Sequence, residues 1–330
     1  GEKGHFMASS HALITGGAGF IGSHLAEHLL DRGWRVTALD NFSTGSRENV
    51  RHLAGSRVFQ LVEGCASNYE LVERLGADAD VLFHLAAVVG VRKVVDNPVA
   101  TVEMNHAATK TALHVAQRHG LRILITSSSE VYGANPKPHF SEDDSCMIGP
   151  TVHRRWCYSA SKLMDEFHAF AFFHAHRLPV TVVRLFNTIG PRQVGHYGMV
   201  VPTFVRQALT GAPITVFGTG RQRRSFTYVK DVVESLRRLV ETDASVGEVF
   251  NVGSTEESEI LALAEGVKRL TESPSEIVFQ SYREAYGEDF EDVERRCPDT
   301  TRLRRAIGYS PSTPLAACLP TIIESVRAEL

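Results

Sequence analysis

Cysteine is scarce in this chain: five residues in 330, at positions 65, 146, 157, 297 and 318, an odd number with neither metal-ligand spacing nor the density of a disulfide framework. That excludes a zinc-ribbon or disulfide-stapled architecture and points to free thiols in a reducing compartment, so the protein is expected to be cytoplasmic. No apolar run approaches the roughly 20 residues needed to cross a bilayer, and no membrane partner is expected. The start, Gly-Glu-Lys-Gly-His-Phe-Met7, has no signal-peptide core, and residues 1–10 read as a flexible added start. A strong excess of either charge is absent too: 35 Lys and Arg against 38 Asp and Glu leave a formal −3, which gives no electrostatic reason to expect nucleic acid. Repeats and low-complexity tracts are lacking. His174-Ala175-His176 is not a metal pair, because positions i and i+2 do not share a helix face.

With 43% hydrophobic residues, the chain can bury a sizeable core in one large α/β unit or two smaller ones. Residues 11–15 read as a short buried strand, followed by Gly16-Gly17-Ala18-Gly19-Phe20-Ile21-Gly22 and a helix in which Ile21, Leu25 and Leu29 recur before Gly33. Gly17-x-Gly19-x-x-Gly22 permits a tight turn, close approach of backbone N–H groups to a pyrophosphate, and close packing of helix on strand. The next strand, 36–39, ends at Asp40, 18 positions beyond Gly22, near the separation at which a carboxylate meets the adenosine ribose. That carboxylate favours NAD over NADP.

Further along stands Tyr158-Ser-Ala-Ser-Lys162. A helix puts i and i+4 on one face, so the Lys162 ammonium is expected near the Tyr158 phenol, favouring the phenolate. A free tyrosine ionises near pH 10 and needs such help to act as a base.

Apolar runs at 58–62, 81–85, 122–126 and 180–185 alternate with helical stretches at 102–119 and 157–176, the rhythm of a Rossmann-type doubly wound parallel sheet. Beyond Pro191 the pattern becomes less regular, with β-like pieces at 214–217, 226–229, 248–252 and 276–280 between helices near 200–210, 231–241, 258–271 and 315–328. Residues 11–190 are expected to form the dinucleotide domain, and 191–330 mainly a smaller α/β substrate lobe.

From about residue 11 to 320 the chain resembles the extended short-chain dehydrogenases that modify nucleotide sugars. The resemblance rests on Gly16 to Gly22, Asp40-Asn41, His84-Leu85-Ala86-Ala87, Asn105, Ser127-Ser128-Ser129-Glu130-Val131-Tyr132-Gly133, Tyr158 with Lys162, and Arg184-Leu185-Phe186-Asn187. It implies bound NAD, held by Gly16, Gly19, Phe20, Ile21, Gly22, Asp40, Asn41, Ser43, Thr44, Gly45, Leu85, Ala86, Ala87, Asn105, Ser127, Tyr158 and Lys162. It implies a UDP-sugar substrate met by Ser128, Ser129, Tyr158, Asn187, Arg192, Val200, Pro202, Phe217, Arg224, Arg296 and Asp299. Tyr158, Lys162, Ser128 and Glu130 are the implied catalytic residues, with Tyr158 taking the sugar 4-hydroxyl proton. Gly64-Cys65 departs from the pattern, because relatives commonly carry an acidic residue after that glycine. Relatives often dimerise through paired helices, so 102–119 and 157–176 are the expected homodimer face.

Three reactions begin with C4 oxidation. A 4,6-dehydratase is disfavoured because its acid, an aspartate before the glutamate, is Ser129 here. Glu130 favours a decarboxylase, yet the Pro- and Ser-rich segment such enzymes carry after His-Leu-Ala is missing, and Val88-Val89-Gly90-Val91-Arg92 looks like an epimerase. Arg192, beside a sugar pocket, suggests a substrate carboxylate held out of alignment for its loss. The expectation is therefore an isomerase, a UDP-glucuronate 4-epimerase. UDP-glucuronate decarboxylation or UDP-glucose 4-epimerisation are the alternatives, and a non-catalytic NAD-binding regulator stands behind them.

Overall fold

The computed structural model describes residues 10–87, 98–195, 199–286 and 295–330. Val88 to Arg92, on which part of the epimerase expectation rests, lie outside the described residues.

The chain begins β1 (His11–Thr15), α1 (Phe20–Leu30), β2 (Arg35–Asp40), β3 (Phe59–Glu63), α2 (Tyr69–Gly76), β4 (Val81–His84), α3 (Pro98–His119), β5 (Arg122–Ser128), α4 (Trp156–His176) and β6 (Val180–Leu185). It continues β7 (Thr188–Ile189), α5 (Val200–Thr210), β8 (Ile214–Phe217), β9 (Arg223–Ser225), β10 (Thr227–Tyr228), α6 (Val229–Val240) and β11 (Glu248–Val252). It ends β12 (Glu257–Glu259), α7 (Ile260–Leu270), β13 (Ile277–Gln280), α8 (Tyr282–Tyr286), β14 (Arg295–Arg296), α9 (Thr301–Ile307) and α10 (Leu315–Glu329).

Seven parallel strands form the main sheet in the order β11-β6-β5-β4-β1-β2-β3. Alternation along each strand sends neighbours to opposite faces. Ala12 and Ile14 pack with Leu25 and Leu29 of α1 and Val232 and Leu236 of α6, whereas Leu13 packs with Ala112 of α3 and Phe172 of α4. Helices on both faces explain why β1 is buried throughout, as parallel strands are.

The boundary at 191 needs correction. β11 returns to the main sheet beside β6, and α6 covers the same face as α1, so residues 229–252 belong to the Rossmann core. The run Glu-Val-Phe-Asn-Val is apolar enough for a buried strand, but sequence order alone places it in the second lobe. That lobe packs α5, α7 and α10 around Phe204, Leu263, Ile322 and Val326. Three short strands, β12-β9-β14, cross between the lobes, and their register sets Arg296 beside Arg224. Arg295 turns the other way and donates to Glu257 of β12 at 2.6 Å. Among the described residues, no helix is long and apolar enough to cross a membrane.

Candidate active site

A cleft of about 940 Å³ opens at the carboxyl ends of the central strands, where open α/β sheets bind their ligands. One end is built from the glycine turn. Gly19 is the N-cap of α1 and makes no side-chain capping bond, so the helix presents its first N–H groups to the cleft. A Cβ on Gly22 would lie 2.1 Å from the Gly16 carbonyl oxygen, which is why the helix can approach the strand only with glycine there. Asp40 is buried at the end of β2; its two carboxylate oxygens accept from the N–H groups of Ala18 at 2.9 Å and Phe42 at 2.8 Å. This cradle of backbone donors and one fixed carboxylate fits a dinucleotide.

Of the residues expected to hold NAD, Gly16, Gly19, Phe20, Ile21, Gly22, Asp40, Asn41, Ser43, Thr44, Leu85, Ala86, Ala87, Asn105 and Ser127 line the cleft. Gly45 does not; it packs behind Asp40, where a Cβ would lie 2.9 Å from the carboxylate. Cys65 stands in the wall where an acidic residue was expected, its Sγ 3.0 Å from the Ser67 hydroxyl.

Ser128, Ser129, Glu130, Tyr158 and Lys162 gather in the middle of the cleft. β5 ends at Ser128, whose hydroxyl accepts from the Glu130 N–H at 3.2 Å, so the strand end and the following turn fix each other. The Ser127 hydroxyl donates to Glu166 at 2.5 Å, and Glu166 also takes the Arg184 guanidinium at 2.8 Å. That buried pair ties α4 to β6 beneath the site. Burial, then the charge of Glu130, push the Tyr158 phenol well above its ordinary range, while its bond with Ser128 works the other way.

Lys162 departs from expectation: its ammonium donates to the Thr126 carbonyl at 3.0 Å and faces Asp165 at 3.6 Å, so in this arrangement its charge is spent away from the phenol.

At the far side of Tyr158, Arg296 bonds Glu130, and Arg155 lies 3.8 Å from the same carboxylate. Burial resists ionisation of Glu130, but the two guanidiniums outweigh it and hold the carboxyl down to about 2. Glu130 is thus an anion at neutral pH. Arg296 is 5% exposed, and its Nε has no hydrogen-bond partner among the described residues. Arg155 was missed in the sequence; the legible signal was a cation three residues before Tyr158. Asn187, Val200, Phe217 and Arg224 line the outer part of the cleft, and Tyr282, also unforeseen, packs with Phe217 at 6.0 Å between ring centroids.

Three expected substrate residues lie elsewhere. Arg192 points to α1, donating to Ser23 at 3.2 Å and Glu27 at 2.5 Å, and is an ion-pair partner holding the lobes together. The Asp299 carboxylate accepts from the Thr301 N–H at 2.9 Å, one residue ahead of the Thr300 N-cap of α9. Pro202 is buried in α5; two residues, about 200° of helix rotation, separate it from Val200 in the cleft wall.

Beneath the site, His84 is buried with its Nδ1 2.8 Å from Thr15 and its Nε2 3.1 Å from Thr109. Burial, with help from the Lys162 charge, lowers it from 6.5 to about 3. The unfolded chain therefore takes up a proton that native His84 refuses as pH falls through this window, and stability drops. His84→Gln should flatten that loss by up to roughly 1 kcal/mol per pH unit, read from urea midpoints at stepped pH between the two values.

A UDP-N-acetyl-alpha-D-glucosaminuronate decarboxylase of Bacillus cytotoxicus is 39% identical to this chain over 303 residues, 91% of this chain and 92% of that protein. UDP-glucuronic acid decarboxylase 1 of Xenopus tropicalis is 37% identical over 318 residues, 96% of this chain and 72% of that one. Both are named as lyases, which overturns the expected isomerase class. Among solved structures, the UDP-glucuronic acid 4-epimerase of Bacillus cereus, in complex with UDP-glucuronic acid and NAD, superposes with a TM-score of 0.87 at 27% identity, over 97% of this chain and 100% of that one. The glycine cradle with Asp40, the serine strand end and the Tyr158 helix all lie within or beside residues 12–253, which match the NAD dependent epimerase/dehydratase family, and to that family the chain belongs.

Proposed function

We propose that the protein is a UDP-hexuronate decarboxylase, with UDP-glucuronate as substrate and a UDP-pentose and carbon dioxide as products. The observation that carries this reading is the Glu130 anion clamped by Arg296 and Arg155 at the sugar end of the cleft beside Tyr158. The names of the two decarboxylase relatives support it. With Arg192 bound to Glu27, the cation invoked to hold the substrate carboxylate away from reaction is no longer in the cleft.

Gly16, Gly19, Gly22 and Asp40 would hold NAD, which supplies a reversible hydride acceptor for C4. Tyr158 takes the 4-hydroxyl proton, leaving a ketone β to the C6 carboxylate, and Ser128 holds the same oxygen. The C5–C6 electron pair then moves into the C4 carbonyl, C6 departs as carbon dioxide, and C5 takes a proton from water. Glu130, ionised and held by Arg296 and Arg155, orders the polar wall beside the sugar, while Arg224 and the remaining donors of Arg296 meet the diphosphate side. In the final step C4 regains the hydride it gave up to bound NAD, while Tyr158 returns its proton to O4, so no net oxidation remains.

Proton NMR of the protein with UDP-glucuronate should show a UDP-pentose forming with one carbon dioxide per sugar. A C4-inverted product retaining C6 would overturn the reading. All five cysteines are free thiols, which supports a cytoplasmic location. Phe167, 72% exposed on α4, supports a homodimer through α3 and α4, to be checked by the mass in solution.

A further inference from the structure

Asp165 is a buried carboxylate to which neither the fold nor the reaction above gives work. Its exposure is 0%, and that of Lys162, one helical turn earlier, is 2%. Tyr158, Lys162 and Asp165 follow at i, i+4 and i+7 on α4, so they share one face of the helix with the lysine in the middle. The Lys162 ammonium stands 3.6 Å from Asp165. Thr109 also faces the carboxylate from α3, but neither oxygen meets a donor at ordinary hydrogen-bond geometry among the described residues. A carboxylate in such a place is expensive, and a small neutral residue would fill the space at less cost.

Its neighbours make it part of a polar column running under the cleft. Thr109 contacts His84 at 3.1 Å, and His84 contacts Thr15 at 2.8 Å, whose hydroxyl accepts from the Ala86 N–H at 3.3 Å. The column starts at the cleft floor, where Ala86 and Lys162 both lie. The charged and titratable groups acting on Asp165 are Lys162 and Tyr158 from α4 and His106 from α3, with His84 of β4 reaching it through Thr109.

We infer that Asp165 is a positioning residue for the Tyr158–Lys162 pair: it draws the Lys162 ammonium toward the protein interior and sets, by its own charge, the pH at which Tyr158 becomes a base. The charge of Asp165 works on the phenol in the same direction as that of Glu130, against ionisation. Burial first, then the Glu130 charge and, more weakly, that of Asp165 disfavour the Tyr158 phenolate until a ligand or a rearranged Lys162 offsets them. The inference rests on Tyr158 being the proton acceptor, but not on which sugar nucleotide is turned over or what becomes of C6.

The test compares the NAD-loaded protein with its Asp165→Asn and Asp165→Ser variants. Two readouts separate the inference from the proposed function. The first is the pH profile of kcat, whose rising limb should move to lower pH by about one unit in both variants, the low end for removing a nearby like charge. The second needs no substrate: carbon-13 NMR of Cζ-labelled tyrosine, with Tyr158 assigned by its loss in Tyr158→Phe, should show the phenol ionising at lower pH once Asp165 is neutral. If one variant fails to fold, the other carries the test. Lower activity with an unmoved limb and an unmoved Tyr158 titration would overturn the inference, leaving Asp165 as packing alone. A shifted titration in a protein that decarboxylates nothing would support it while sinking the proposed reaction.

Discussion

Tyr158→Phe should fold and bind NAD like the unaltered protein yet lose turnover by roughly 10²–10⁴-fold, the range for removing a positioned general base. The substitution deletes one hydroxyl from a helix whose packing rests on Trp156, Ala169 and Phe172, so little of the core is disturbed. What disappears is the phenol hydroxyl that bonds Ser128 in the cleft. The loss should fall on kcat and not on KM, because the proposed diphosphate ligands, Arg224 and Arg296, remain in the cleft. Nicotinamide absorbance on mixing with UDP-glucuronate should stay flat, since every reading of the site begins with the proton that Tyr158 removes. A variant that still reduces its cofactor would show that another group is the base.

Arg296→Ala is the second large effect, because it acts on fold and chemistry together. It leaves Glu130 with Arg155 at 3.8 Å and the weaker influence of Arg224, and should lower stability by about 3 kcal/mol, the low end for breaking a buried pair, since other cations still act on the carboxylate. Turnover should fall as well, because the same guanidinium is the buried cation at the sugar end of the cleft. The two losses can be separated. Glu130→Gln together with Arg296→Gln removes both charges, so stability should return toward the starting value while activity does not. If the double variant recovered turnover, the Glu130–Arg296 pair would be a structural strut and the proposed role of Glu130 would fail. Urea midpoints and kcat on the same three proteins decide the matter.

The doubly wound sheet was legible because its signals are local: the glycine turn ahead of α1, the alternating apolar runs, and the four-residue step from Tyr158 to Lys162. Some misread positions have partners far away in sequence, and others have near partners that compete with the expected one. Arg192 follows a proline in a loop and looks like a free cation; its partner Glu27 sits 165 positions earlier, on a helix face no spacing rule connects to it. Asp299 was expected at the substrate by resemblance, whereas its carboxylate accepts from the nearby Thr301 N–H at the start of α9. Lys162 was placed correctly on its helix face, but a side chain that long can turn to either neighbour, and Asp165 competes with Tyr158 for it. β11 was recognised as a strand; which sheet it joined depended on α6 folding back over the core.

The two-residue strand β14 has a consequence for how ligand and fold depend on each other. Its alternation puts Arg295 on Glu257 and Arg296 into the cleft, so a slip of one position would exchange their directions and remove a cation from the sugar end. Register here is therefore also a binding equilibrium. A sugar nucleotide held by Arg296 can engage only the paired strand, and by mass action its occupancy should tighten that pairing. The amides of Arg295 and Arg296 should accordingly exchange with solvent more slowly as the cleft fills, making a short edge strand a built-in reporter of substrate.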